Sequence, residues 1–241
     1  MDIRELATVL GCPGLRRMVQ RGHAVGLETL LDYQRLAILA AAVRTCLRLP
    51  GDMIELGSYR GGSAAVIGQV LEGTDKTLHI LDTFEGLPAP SVHDNYHLQG
   101  DFADTCAEDV RRGVRLLSIP VEVHVGLFDE TLPLLSNRLF SFAHIDVDLY
   151  DSIKQCLEFC YPRMLHRGII IIDDYGAPTC LGAKKAVDEF FLDRLEKPVL
   201  TSKPACAVCM GSKGTGLADL LRRRAGWISA FPFIGPALYR N

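Results

Sequence analysis

Apolar residues return at intervals close to 3.6 over residues 27–49. Leu27, Leu30, Leu31, Leu36, Ile38, Leu39, Val43 and Leu47 form one stripe, and Pro50-Gly51 ends it, so the pattern predicts a helix there. Short apolar runs then alternate with amphipathic stretches. Met53-Ile54-Glu55-Leu56-Gly57 reads as a buried strand closed by a glycine turn, with a helix over 63–71. Residues 77–81 form a second strand that ends on Asp82. A polar loop from Thr83 to about Asp104 holds Gly86, Pro88, Pro90 and Gly100, and loops of that length in compact domains are usually functional. Thr105-x-x-Glu108 fits a capping box that would open a helix through Leu117. Val121-Glu122-Val123-His124-Val125 alternates as a third strand, and 140–145 reads as a fourth, ending on Asp146. A helix over 151–165 precedes a fifth strand, 168–172, which ends on Asp173-Asp174. A helix over 182–195 and two apolar runs, 198–201 and 205–210, complete the series.

Strand–helix alternation with near-continuous Ile, Val and Leu predicts an α/β fold, a mostly parallel seven-stranded sheet with helices on both faces. Only a short Lys203-Pro204 link joins the last two runs. A parallel crossover needs a dozen residues or so, which forces an antiparallel hairpin and one antiparallel strand near the edge. No repeat or linker divides the chain, so one domain over 1–241 is expected, with a helical N-terminal extension over 1–50 and a distinct tail over 211–241.

Composition narrows the partners. Of 241 residues, 48% are hydrophobic and 23% charged, enough apolar material for a large core. The net charge of −3 argues against a nucleic-acid binder that relies on phosphate contacts. The longest apolar run in the body, 36–43, falls far short of the roughly 20 residues that span a bilayer. Met1-Asp2-Ile3-Arg4-Glu5 lacks the start of a signal peptide, so a cytoplasmic protein without stable membrane insertion is expected. The eight cysteines then read as reduced, mostly buried thiols. Cys206-x-x-Cys209 falls in a strand, where positions three apart face opposite sides, and no second pair completes a zinc site.

Ligands of open parallel sheets bind outside the carboxyl ends of the strands. The residues there are Glu55 and Gly57, Asp82, Gly126, Asp146-x-Asp148 and Asp173-Asp174. Clustered carboxylates repel each other, and a hard divalent cation such as Mg²⁺, Mn²⁺ or Ca²⁺ is the simplest remedy for Asp146, Asp173 and Asp174. The turn Gly57-Ser58-Tyr59-Arg60-Gly61-Gly62-Ser63 lets backbone N–H groups approach an anionic ligand, but it is neither a dinucleotide fingerprint nor a P-loop. Asp82 follows Gly57 by 25 positions, where a carboxylate can accept hydrogen bonds from a ribose diol.

Four longer strings resemble the macrocin O-methyltransferase family. They are Ile54-Glu55-Leu56-Gly57-Ser58-Tyr59-Arg60-Gly61-Gly62-Ser63 with Leu81-Asp82-Thr83-Phe84-Glu85-Gly86-Leu87-Pro88, then His144-Ile145-Asp146-Val147-Asp148-Leu149-Tyr150-Asp151-Ser152, then 168–176, then 182–190. The resemblance covers roughly residues 27–200. It implies a Rossmann-like class I methyltransferase fold and a methyl transfer that uses S-adenosylmethionine and Mg²⁺ on a sugar hydroxyl of a natural product. It further implies that Glu55, Gly57 and Tyr59 line the methionine half of the cofactor and Ser63 lies near its carboxylate. Asp82 would hold the ribose, with Thr83 and Phe84 beside it and Gly126 on the same rim. Asp146, Asp173 and Asp174 would ligate the metal, and Asp148 matches the family's proposed general base. The loop with His93, Asp94 and His97 would cover a small hydroxylated, glycosylated acceptor, in a homodimer or larger homo-oligomer.

A sugar hydroxyl is a very weak acid, so a carboxylate alone is a poor base for it. Two vicinal hydroxyls held by Mg²⁺ would be acidified and oriented, and Asp148 could then take the proton. His93 and His97 are the competing bases, and Asp148 could instead be a supporting or capping acid. Two other functions stay open on the residues alone. Asp146-x-Asp148 also fits the DxD of metal-dependent glycosyltransferases, and a non-enzymatic protein could retain the fold. The ending after Met210, with Arg222-Arg223-Arg224 and an apolar, Pro/Gly-broken stretch, departs from the family pattern. It is expected to pack on the core or on another subunit, with a wall for a hydrophobic acceptor as the alternative.

Overall fold

The computed structural model describes residues 14–201 and 204–211. The expectations for the N-terminal segment before Gly14, for Cys12 and for the tail after Gly211 fall outside them.

The strands are β1 Asp52–Leu56, β2 Leu78–Asp82, β3 Val121–Val125, β4 Phe140–Ile145, β5 Met164–Ile172, β6 Val199–Leu200 and β7 Cys206–Cys209. They form one seven-stranded sheet in the order β3-β2-β1-β4-β5-β7-β6. β7 runs antiparallel to both β5 and β6, and every other pair is parallel. This is the Rossmann-like methyltransferase arrangement, with one antiparallel strand in a closing hairpin. The order reverses at β1 and β4, the switch point where open sheets leave a crevice.

The helices are α1 Leu15–Ala24, α2 Tyr33–Cys46, α3 Gly62–Val70, α4 Ala107–Leu117, the one-turn α5 Phe128–Thr131, α6 Tyr150–Cys160 and α7 Leu181–Phe191. Residues of α1 to α4 pack with Met53, Leu78, Ile80 and Phe142 on one face of the sheet. Residues of α6 and α7 pack with Ile54, Leu56, Ala143 and Ile145 on the other. All six positions of β4 are buried, as a strand covered on both faces requires. Cys206 and Cys209 fall into the cores on opposite faces, which is the geometry that disfavours a shared metal. Cys156 and Cys160 are fully buried, and burial pushes the Cys160 thiol up to about 12.

Two sequence expectations are corrected. The helix expected over 27–49 starts only at Tyr33, because Asp32 caps it by accepting from Gln34 N at 2.8 Å and Arg35 N at 2.9 Å. The residues before it are claimed by the glycine turn: Glu28 N donates to Arg60 O, and Gly62 N donates to Glu28 O at 2.9 Å. A Cβ at Gly62 would lie 2.3 Å from the Glu28 carbonyl carbon, so this clamp needs glycine. Leu27 is buried against Gly61 and Gly113, while Leu30 is exposed. The apolar stripe was therefore two structures in series. The capping box at Thr105 does not form either. Thr105 Oγ1 donates to Tyr59 O, Glu108 pairs with Arg115, and the helix begins after Cys106 without a side-chain cap.

Candidate active site

The ends of β1, β2, β4 and β5 open on one cavity of about 450 Å³, within the range of small-molecule sites. The strand ladders continue into its floor. Gly57 N donates to Leu81 O, Asp146 N to Leu56 O, and Asp173 N to Ile145 O, each at 2.9 Å. Gly57 has φ +81°, and a Cβ there would lie 1.8 Å from the Asp146 carbonyl oxygen. Only glycine lets the turn and the aspartate strand end approach this closely. Tyr59, Phe84 and Asp148 also hold positive φ, at 50°, 54° and 58°, and they follow β1, β2 and β4. Strained non-glycine backbone is thus gathered around the cavity, where functional sites store it.

Gly57, Tyr59, Ser63, Asp82, Thr83, Gly126, Asp146, Asp148, Asp173 and Asp174 all line this cavity. Glu55 and Phe84 do not. Glu55 is fully buried beneath it, 2.8 Å from His144 Nδ1, because β1 and β4 set the two residues side by side. Phe84 turns into the core, its backbone N–H held by Asp82 Oδ1. Asp82 is already busy. Its Oδ2 accepts from Ser58 N at 2.7 Å and Tyr59 N at 2.9 Å, and with Phe84 N on Oδ1 three of roughly four acceptor positions are filled. Two of those bonds hold the glycine turn and the third, from Phe84 N, holds the loop after β2, which leaves room for about one further hydrogen bond, fewer than the diol pair expected from sequence.

The carboxylates of Asp146, Asp173 and Asp174 converge, each offering an oxygen within 4.8 Å of the others. Asp173 and Asp174 are buried, and Asp146 keeps partial exposure toward the cavity. Burial, then repulsion from Asp173 and Asp174, holds the Asp146 carboxyl well above its usual range. Asp174 is raised as well, by burial first and then by Asp148 and Asp173. Asp148 N donates to Asp174 Oδ2 at 3.0 Å. The Asp148 carboxyl, raised by burial against the opposing pull of His97, lies 3.5 Å from His97 Nε2, and His97 Nδ1 lies 3.3 Å from Asp101. The Cys180 thiol also donates to Asp148.

Sequence reasoning missed Arg35. It reaches from the first turn of α2 to hydrogen-bond Asp173 and Leu30 O, and it lines the cavity. Burial works against its charge, but Asp173, Asp32 and Asp146 outweigh it and raise the guanidinium above its usual value. No local signal marks it, because its partner Asp173 lies 138 residues further along the chain. The loop 83–104 is compact, closed on itself by Leu87 N to Asp101 O and Gly100 N to Leu87 O. Asp94 ties it to α6 by accepting from Tyr150 N at 2.9 Å, and the His93 ring sits 4.5 Å from that of Tyr150.

Residues 16–202 match the family described as macrocin-O-methyltransferase (TylF). The chain belongs to the macrocin-O-methyltransferase family. Among its relatives, demethyldecarbamoylnovobiocin O-methyltransferase of Streptomyces niveus is 30% identical over 186 residues, covering 70% of each chain. Mycinamicin III 3''-O-methyltransferase of Micromonospora griseorubida is 30% identical over 180 residues, covering 68% of this chain and 70% of that one. The solved structure of the O-methyltransferase NovP superposes with a TM-score of 0.68 at 26% identity, over 76% of this chain and 82% of that one. Family membership makes this chain an S-adenosylmethionine-dependent O-methyltransferase and decides against the glycosyltransferase reading of Asp146-x-Asp148. No helix among the described residues is long and apolar enough to cross a membrane.

Proposed function

We propose that the enzyme methylates one hydroxyl of a vicinal diol on a sugar or a related natural product, with Mg²⁺ held by Asp146, Asp173 and Asp174. The observation that carries this reading is the convergence of those three carboxylates on the cavity beneath the glycine turn. The donor set fits the ion, since hard oxygen ligands with unrelieved mutual repulsion suit a hard divalent cation. The cavity suits the methyl donor: the turn gives close backbone approach, and the buried Ser58 Oγ on its wall has no hydrogen-bond partner among the described residues.

The chain's own parts then divide the work. The α3 N-terminus, with Ser63 on the cavity wall, favours the carboxylate end of the donor. Asp82 offers its remaining acceptor position to the ribose and keeps the turn in place with the rest. Gly126, Leu127 and Phe128 also line the cavity. The cation, when bound, supplies Lewis acidity and an anchor for the acceptor oxygens. Asp148 removes the hydroxyl proton as the methyl moves, its carboxyl kept basic by burial and steered by His97. The loop 83–104 excludes water and positions the acceptor. We read the described residues as one methyltransferase domain of a cytoplasmic, homo-oligomeric enzyme, and light scattering tests the last point.

Labelled methyl transfer from S-adenosylmethionine to a panel of glycosides and catechols, with and without Mg²⁺, tests the proposal. Asp146→Ala is expected to keep cofactor binding and to lose roughly a thousandfold or more in turnover, because Lewis-acid polarisation is worth several kcal/mol. Full activity of the wild type in excess EDTA sinks the metal assignment, and activity on isolated hydroxyls alone sinks the diol.

A further inference from the structure

A second set of metal-ligand side chains sits away from the acidic rim. β2 and β3 pair in parallel with His79 beside Glu122 and Leu81 beside His124. Strand alternation puts His79, Glu122 and His124 on one face of the sheet. The His79 Nδ1 atom lies 3.2 Å from His124 Nε2 and 3.3 Å from Glu122 Oε2, and all three ligand atoms lie within 4.8 Å of one another. His79 is nearly fully buried, His124 half-buried and Glu122 exposed, so the cluster opens to solvent on one side only. It lies three residues before Asp82 along β2, about 10 Å at strand rise.

The other nitrogen of His79 is committed. Nε2 lies 3.4 Å from Asp52 Oδ2, and that carboxylate is itself fixed by Arg138 at 3.2 Å and by Thr77 N at 3.1 Å. A neutral imidazole with its Nε2 proton held on a carboxylate presents a bare lone pair at Nδ1. Here Nδ1 faces a carboxylate oxygen 3.3 Å away and the His124 Nε2 atom 3.2 Å away, so all three potential ligand atoms point at one spot.

We propose that His79, Glu122 and His124 bind a zinc-class divalent ion, with a solvent molecule completing four-coordination and Asp52 orienting His79. Bonds of about 2.0–2.1 Å in a tetrahedral site put neighbouring donor atoms roughly 3.3 Å apart. The 3.2 and 3.3 Å separations match that edge. Two imidazoles and one carboxylate suit zinc, cobalt or nickel rather than magnesium. The backing carboxylate on the far nitrogen is the arrangement that fixes tautomer and ring in metal-bound histidines. A bound ion would staple the edge strand β3 to β2. β3 leads directly into Gly126, whose N–H donates to Asp82 O, and into the cavity wall at Leu127 and Phe128. The ion would therefore firm one wall of the active site without touching the reacting atoms.

The test uses tag-free, chelator-stripped full-length enzyme in saturating Mg²⁺, titrated with Co²⁺ and read by its visible absorption. One equivalent with the intense bands of four-coordinate cobalt, displaced by Zn²⁺, is expected. His124→Ala should weaken binding at least tenfold, and Asp146→Asn should leave it unchanged. Glu122→Gln, at an exposed position, repeats the test should the histidine variant fold poorly. Zn²⁺ should also raise the melting temperature of the wild type and of Asp146→Asn, but not of His124→Ala. Cobalt bands that persist in both cluster variants, that vanish in Asp146→Asn, or that never appear overturn the proposal.

Discussion

The acidic rim and the imidazole cluster belong to the same sheet but are assembled in opposite ways. At the ends of β4 and β5, three carboxylates gather with Arg35 as the counter-charge, and burial raises Asp146 and Asp174 well above the usual carboxylate range. On β2 and β3, two imidazole rings meet one exposed carboxylate, with no second carboxylate among the three potential ligands. The rim is therefore costly without a cation and needs a stand-in. The imidazole cluster is cheap without one, because a His–His hydrogen bond satisfies most of it. Donor chemistry separates them further, since oxygens select hard ions and imidazoles select borderline ones. A sheet can hold both because they occupy different strands, each with its own orienting partner.

Beyond the three converging carboxylates, the largest effect expected from breaking this comparison is at Asp148, which belongs to the rim by position but does not converge with them. Asp148→Asn keeps the left-handed turn, since asparagine tolerates φ near +58°. Loss of a general base costs about 10²–10⁴ in kcat, so turnover should fall within that range. Calorimetry should show unchanged cofactor binding. Near-wild-type kcat in this variant would move the base to His97, which already sits 3.5 Å from Asp148.

A smaller effect is expected at Arg35. Its hydrogen bond to buried Asp173 is charged on both sides, and such bonds are worth about 1.5–3 kcal/mol. Arg35→Ala should lower the melting temperature of the chelated enzyme by several degrees. Saturating Mg²⁺ should shrink that gap, because a cation replaces the guanidinium as counter-charge. An equal loss with and without Mg²⁺ would show that Arg35 only packs the α2 end and that the rim has no cation to gain.

The same contrast explains what could be read in the sequence. The sheet was legible because its inner strands are mostly apolar on both faces, most plainly in the four isoleucines that end β5, and the hairpin followed from the short link before β7. The rim was legible because strand ends carry it, and its aspartates fall just after strands that are themselves visible. Arg35 was not, since its partner lies 138 residues away and nothing local marks the pairing. The true start of α2 was hidden for a similar reason: residues 27–31 carry a helical stripe, yet Leu27 and Glu28 are held by Gly61 and Gly62 across the fold. Glu55 and Phe84 had the right sequence positions but point away from the cavity, because strand alternation and a left-handed turn at Phe84 direct them into the core. His79 and His124 alternate with apolar neighbours as core residues do, and only the register of β2 against β3 brings them together.

The smallest effect is expected at Glu122, and its sign is informative. The side chain is 57% exposed, so its contact with His79 contributes about 0–1 kcal/mol in the metal-free protein. Glu122→Gln should barely move the melting curve in chelator. Zinc at a hundred times its dissociation constant stabilises a one-site protein by about 2.7 kcal/mol, and the variant, which lacks one charged ligand, should gain less. Adding zinc should therefore open a gap between wild type and Glu122→Gln. Adding Mg²⁺ should close the gap between wild type and Arg35→Ala. At the rim the cation relieves a strain that the arginine was already relieving, whereas at β2 and β3 it creates a bond that the resting cluster does not have. Gaps that move in the same direction in both experiments would mean that the two clusters respond to one shared event, and the distinction between a charged site and a neutral one would fail.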